Sequence, residues 1–264
     1  MATITSFLTQ AHLSYRALFW WQSPGPFTAN VFVRPLLMIT LYALFGRFAL
    51  GIEASEAFAL GMTAFGITFI IGGAVLGSAS QEPWNGTLSV LMSSAGSRLR
   101  MFMAWGVPYL PLGIIAGVLG VAATVAFVSP DAAGVNWWVV AASVALIAVS
   151  GMAFFQFFIP LSIITADFGV VGAIGPGLMM TLSGALIPLD ALPGFWQVVG
   201  HGIPVTGGLA AMKAAFEGAS FSEVRWELLS ELAVAAAYVA VGFALFRVTE
   251  AYARRSGAFD KAVA

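Results

Sequence analysis

Six apolar runs, at about residues 27–50, 57–79, 103–128, 137–160, 170–188 and 228–248, constrain this chain more than any other feature. Each is near twenty residues, the length an α-helix needs to cross a hydrocarbon core of roughly 30 Å at about 1.5 Å per residue. Barrel strands would show segments of about ten residues with every second side chain turned toward a polar interior, and no run does so over its length. Composition agrees, with 60% hydrophobic and 9% charged residues against about 25% charged in soluble domains. The sequence therefore predicts an all-α integral membrane protein with six transmembrane helices in a single domain over residues 1–264. Cysteine is absent, which excludes disulfides, thiolate metal sites and thiol nucleophiles together.

Residues 1–22 do not read as a secretory signal, since no positive charge precedes a continuous apolar core. They read as an interfacial amphipathic helix. Ile4, Phe7, Leu8, Ala11, Tyr15 and Leu18 share one face, Thr5, Thr9, His12 and Arg16 another, and Trp20 and Trp21 suit the headgroup level. A cytosolic helix packed on its own protein is the plainer alternative. Pro24, Gly25 and Pro26 then turn the chain toward the first run, whose Arg34 and Arg47 can snorkel to an interface. Glu53 and Glu56 are expected in a short loop. The second run is rich in glycine, and its GxxxG at Gly73 and Gly77 predicts close helix packing in preference to a ligand site. Pro108 and Pro111 predict a kink near the start of the third run. Trp137 and Trp138 mark an interface before the fourth, and Gly175, Pro176 and Gly177 lie near the middle of the fifth.

Two segments depart from simple turns. Residues 81–102 form a polar stretch of about twenty residues with a short amphipathic helix and two arginines, where two or three residues would suffice to reverse the chain. Such a loop predicts a contact with something in the water. Residues 189–216 hold Pro193, Trp196, His201, Pro204 and several glycines among apolar residues, too broken to span and too apolar for an aqueous loop. That combination predicts a re-entrant helical hairpin before the last run, covered by protein or lining a wet cavity.

Six spans place both termini on one side. With that side cytoplasmic, it holds Arg16, Arg98, Arg100, Arg247, Arg254, Arg255 and Lys261, against Arg47, Lys213 and Arg225 outside. This bias of basic residues predicts cytoplasmic termini and a cytoplasmic 81–102 loop in a plasma membrane, the inner membrane of a bacterium.

A phosphate-binding Walker loop requires lysine after glycine, and neither Lys213 nor Lys261 follows one. Nearly every acidic residue is expected in a loop or at a helix end, so the buried mid-span carboxylate pairs common in ion-coupled carriers are not expected either. Energy must come from a partner, or transport must be passive.

Glu82, Gly86, Thr87 and Leu88, followed by Leu91, Ser97 and Arg98, resemble the loop of type 2 ABC exporter permeases, in which an acidic residue precedes Gly-Thr-Leu and a short helix. The stretch from Ser183 to Gly218 is similar to the proline-, tryptophan- and glycine-rich region before the final span of that family. The resemblance covers essentially the whole chain in order and spacing. Trp84-Asn85 stands where a basic residue is usual, and Ser89 where a glutamate is usual, departures that bear on which ATPase is recognised.

The resemblance implies a permease subunit without catalytic residues that exports a drug, natural product, lipid or peptide. It implies a homodimer, or pairing with a homologous permease, and two copies of a separate ABC ATPase that would bind ATP and Mg, leaving no cofactor in this chain. The ATPase-coupling residues would be Glu82, Trp84, Asn85, Gly86, Thr87, Leu88, Leu91, Met92 and Arg98, with Leu88, Leu91 and Met92 as an apolar stripe for a groove. The outer gate would comprise Pro188, Pro193, Trp196, His201 and Pro204, although a lone histidine beside glycines, as His201 is, more often serves as a turn residue. Membrane lipid is an expected contact and nucleic acid is not. The competing readings are a secondary carrier or channel without an ATPase, and an intramembrane serine protease built on Ser183 and His201.

Overall fold

The computed structural model describes Gly25 and residues 28–49, 52–84, 98–104, 106–128, 132–165 and 168–256. The expected interfacial helix at 1–22 and most of the polar loop lie outside these residues. The described elements are helical. A π-helical turn, Ala29–Val33, leads into α1 (Arg34–Ala49), followed by α2 (Ile52–Trp84) and α3 (Arg98–Ala104). A 3-10 turn (Val107–Tyr109) then precedes α4 (Leu110–Phe127), α5 (Trp137–Thr165) and α6 (Phe168–Leu182). A second 3-10 turn (Leu189–Ala191) precedes α7 (Gly194–His201), α8 (Thr206–Phe216) and α9 (Arg225–Ser256).

Among the described residues four stretches are long and apolar enough to cross a membrane: Ser55–Ser78, Met101–Phe127, Trp137–Leu161 and Arg225–Tyr252. The other two expected spans are represented by α1, of 16 residues, and α6, of 15. Several boundaries differ from the sequence expectation. Glu53 and Glu56 fall in the first turns of α2, because no proline or glycine after Gly51 interrupts the helical run. At the other end α2 continues through Trp84, so Gln81 to Trp84 of the expected polar loop are helical, while the apolar stretch itself ends at Ser78. The fifth span ends at Leu182, where the backbone bends and Gly184 takes a φ of 78°, a conformation that glycine alone adopts without strain. The break at Pro108 and Pro111 is present, with Pro108 in the 3-10 turn and Pro111 in the first turn of α4, where a missing N–H costs nothing.

Helix α5 is the centre of the bundle, packing against α2, α4, α6, α8 and α9. Small residues set these approaches, as expected where lipid offers no hydrophobic drive toward association. A Cβ at Gly72 would overlap the Phe155 ring, and one at Gly117 would overlap Val144 and Ile67. Among the described residues no atom lies within 4 Å of where a Cβ at Gly73 or Gly77 would stand, so the GxxxG pair leaves an open face. Within the chain it is Gly61 and Gly72 that bring α2 close to its neighbours. Aromatic edges fill the α5–α9 seam, with Phe154 and Phe157 at 5.1 and 5.7 Å from the Tyr238 ring. Helix α9 is peripheral, with 17% of its apolar window buried against 72% for that of α2.

The ends of the bundle are tied by specific bonds. At one end Arg47 Nη1 donates to the Phe127 carbonyl at 2.9 Å, and the Asn136 side-chain amide donates to the Ala219 carbonyl at 3.0 Å. At the other, the Gln156 amide donates to the Phe102 carbonyl at 2.7 Å, and Phe102 stacks on Phe246 at 5.6 Å. Gln156 lies about 30 Å along α5 from Trp137, so these clusters occupy opposite faces of a bilayer-sized slab.

Candidate gate and coupling site

Between α6 and α9 the chain crosses and recrosses one end of the bundle. The segment after Leu182 lies flat on α2: a Cβ at Gly61 would collide with the Ala185 carbonyl, so only glycine admits it. Leu192 and Pro193 are extended, with ψ of 152° and 146°, as a residue before proline and a proline prefer. Helix α7 starts directly after them, and the Gln197 side-chain amide donates back to the Leu192 carbonyl at 2.8 Å. Gly200 lets α7 lie against the Leu182 carbonyl and Leu189. The opposite face carries exposed Phe195, Trp196 and Val198, with Phe195 and Trp196 edge to face at 5.2 Å.

A tight turn, Gly202 to Val205, leads into α8. The Thr206 hydroxyl donates to the Gly200 carbonyl at 2.8 Å. Val205 has a φ of 86°, the one positive value at a non-glycine among the described residues. A β-branched side chain is disfavoured there by about 1–3 kcal/mol, so surrounding contacts must hold it. Its N–H donates to Glu231 Oε1 at 2.6 Å, and the N–H groups of Gly207 and Gly208 donate to Oε2 at 3.0 and 3.2 Å. Helix α8 ends beside α5, where the Asn136 N–H donates to the Ala215 carbonyl at 2.9 Å.

Helices α7 and α8 have 8 and 11 residues, at most about 17 Å each, so neither can span. Of the expected gate residues, Pro188 and Pro193 cap the second 3-10 turn and α7, Pro204 is buried in the turn before α8, Trp196 is half-exposed, and His201 is exposed at the end of α7. Among the described residues the buried Ser183 Oγ has no hydrogen-bond partner, so it is not paired with His201 and forms no dyad with it.

Of the residues expected to couple to an ATPase, Glu82 and Trp84 stand in the last turn of α2 and Arg98 opens α3. Asn85, Gly86, Thr87, Leu88, Leu91 and Met92 lie outside the described residues. The flanks of the segment are well anchored. Helix α2 enters it without a break, and α3 is seated through buried Phe102 against α5 and α9.

Sequence reasoning missed Glu231, which it dismissed with the acidic residues at helix ends. It is 1% exposed and sits nearly two turns inside α9. The available signal was its place four residues after Glu227 at the head of an apolar run.

A helical bundle of apolar spans, with a polar segment held between two of them and a broken pair of short helices before the last, is the form of a membrane permease. The family model described as ABC-2 type transporter matches residues 8–216, well over half of the chain. The chain belongs to the ABC-2 type transporter family and is a type 2 ABC permease. Comparison with curated proteins gives no match.

Proposed function

We propose that this permease is the membrane half of an ATP-driven exporter: it pairs with a second copy, and two ATPase subunits drive it through the segment 81–102. The observation that carries the reading is the length of α2. Its 33 residues measure about 50 Å, some 20 Å more than a hydrocarbon core. Its apolar stretch ends at Ser78, so the last six residues, Glu82 among them, continue the same helix about 9 Å past that stretch. This turn serves as a short lever, while α3, seated on Phe102, returns the force to α4, α5 and α9. A motor that displaces the tip of such a lever tilts the span itself. The distribution of basic residues puts this tip and both termini in the cytoplasm.

In this reading α1 and α6 complete six spans, with crossing length supplied by the π turn before α1 and the bent segment after α6. Helices α7 and α8 form a re-entrant outer gate. The cargo path runs between two copies along the glycine faces of α2 and α6, where no atom of the described residues lies within 4 Å of a Cβ built at Gly73, Gly172 or Gly177. Its apolar walls suit an amphipathic cargo such as a drug, natural product, lipid or peptide. The test is co-purification with an ABC ATPase subunit, and stimulation of that ATPase by candidate cargoes in vesicles. Glu82→Lys, or deletion of Gly86 to Leu88, should abolish ATP-dependent export while the protein still inserts. Export unchanged in both variants would remove the coupling role and leave a carrier or channel.

A further inference from the structure

We propose that Glu231 is the positioning residue of the outer gate: its carboxylate pins the start of α8 to the last span, so that α7, α8 and the head of α9 move as one body. The inference rests on reading residues 189–216 as that gate. A carboxylate inside a membrane helix is costly unless its lone pairs are engaged, and such residues are functional by default. Here the engagement is directed at one element. Both oxygens accept from backbone N–H groups at the beginning of α8, those of Val205, Gly207 and Gly208.

The start of a helix leaves N–H groups without intrahelical partners and carries the positive end of the helix dipole, so an anion there is doubly favoured. Val205 occupies the capping position of α8 and has no side-chain acceptor to offer. Glu231 supplies the cap from another helix, which couples two elements where an ordinary cap would serve one. The glycines complete the fit: a Cβ at Gly207 would strike the Glu227 carbonyl, and one at Gly208 would reach Ile147 of α5 at 2.5 Å. Any larger residue would lift these amides off the carboxylate. The positive φ at Val205 points its N–H at the same acceptor, so the turn depends on Glu231 for its shape.

The chain has no cysteine, so spin labels can be placed on cysteines substituted for exposed Val198 of α7 and Leu229 of α9 in the full-length protein in vesicles. With Glu231 present the label pair should give one narrow distance distribution. Glu231→Gln, which keeps shape but sets an amide against the donors, and Gly208→Ala should each broaden it, while Glu231→Asp should restore part of the narrow population. Leak of trapped carboxyfluorescein should rise several-fold in the broadened variants. A narrow distribution in both Glu231→Gln and Gly208→Ala overturns the proposal. Failure of Glu231→Gln to insert and elute as a single species also overturns it, because the carboxylate would then serve folding alone. Broadening without added leak, or no labelling of the Val198→Cys variant by an impermeant maleimide from outside, would instead refute the outer-gate reading and leave the pin standing.

Discussion

The buried side-chain amide of Gln156 donates to the backbone carbonyl of Phe102 at 2.7 Å and thereby fixes the short helix that follows the polar segment to the central helix α5. That carbonyl lies near the end of α3, where helical acceptors run out, so the bond satisfies a group that hydrocarbon could not. Gln156→Leu removes the donor and leaves the acceptor bare. The expected loss is about 1 kcal/mol, in the range of intramembrane side-chain bonds. Unfolding in mixed micelles measures this cost. Coupling should suffer more than stability, read as fewer cargo molecules moved per ATP.

Gly61→Ala and Gly73→Ala, on the same helix, should behave differently. At Gly61 the new methyl meets the backbone of Ala185, which cannot rotate away, and overpacking of this kind costs about 1–3 kcal/mol. The segment 183–187 should shift, with a lowered melting temperature in detergent. At Gly73 nothing in the described chain opposes a methyl, so the monomer should melt unchanged. A reduced dimer fraction in that variant, read by cross-linking, would place this face between copies.

Arg47 is exposed and donates to the last carbonyl of α4, where a cation also meets the negative end of the helix dipole. Arg47→Met should cost about 0.3–1 kcal/mol, the range for a charge at a helix terminus. Arg47→Lys should recover part of it. Melting of the three proteins side by side decides the point.

The entry to α9 carries a pH signature. Glu223 Oε2 accepts from the Ser220 N–H at 2.6 Å and from its hydroxyl at 2.7 Å, closing the turn before α9. The backbone bond first, and the hydroxyl second, hold the Glu223 carboxyl below the usual carboxylate range. A depressed folded value means the contribution is complete above the unfolded value of about 4.3 and is lost as pH falls through the folded one. The melting-temperature difference between the native chain and Glu223→Ala should therefore be full at neutral pH and shrink in acid. A difference that grew in acid would reverse the assignment.

Much of this architecture was legible from local patterns. The helical class and the break at Pro108 follow from run length and from a missing N–H, properties that neighbours in sequence report directly. The proline-rich character of residues 188–204 likewise announced short helices. Elsewhere local reading stopped short. Its limits for the second span, 57–79, agree with the apolar stretch Ser55–Ser78, but it did not show that the helix itself runs on through Glu82, Pro83 and Trp84, where a proline in the last turn removes a hydrogen bond without ending the helix. It read Gly73 and Gly77 as packing positions, whereas among the described residues the close approaches of α2 are at Gly61 and Gly72, since spacing identifies a smooth face but not what lies opposite.

The sequence alone determined that this chain crosses a membrane as helices, lacks a phosphate-binding lysine of its own and carries the order of motifs of an ABC-2 permease, because hydropathy, residue identity and spacing are written along the chain. Only the tertiary structure decided which helix stands at the centre, which glycines touch, and that Glu231 grips amides 23 to 26 residues before it. Those are facts of three-dimensional proximity. A buried carboxylate is settled by the donors the fold brings to it, and no periodicity in one helix records where another helix begins.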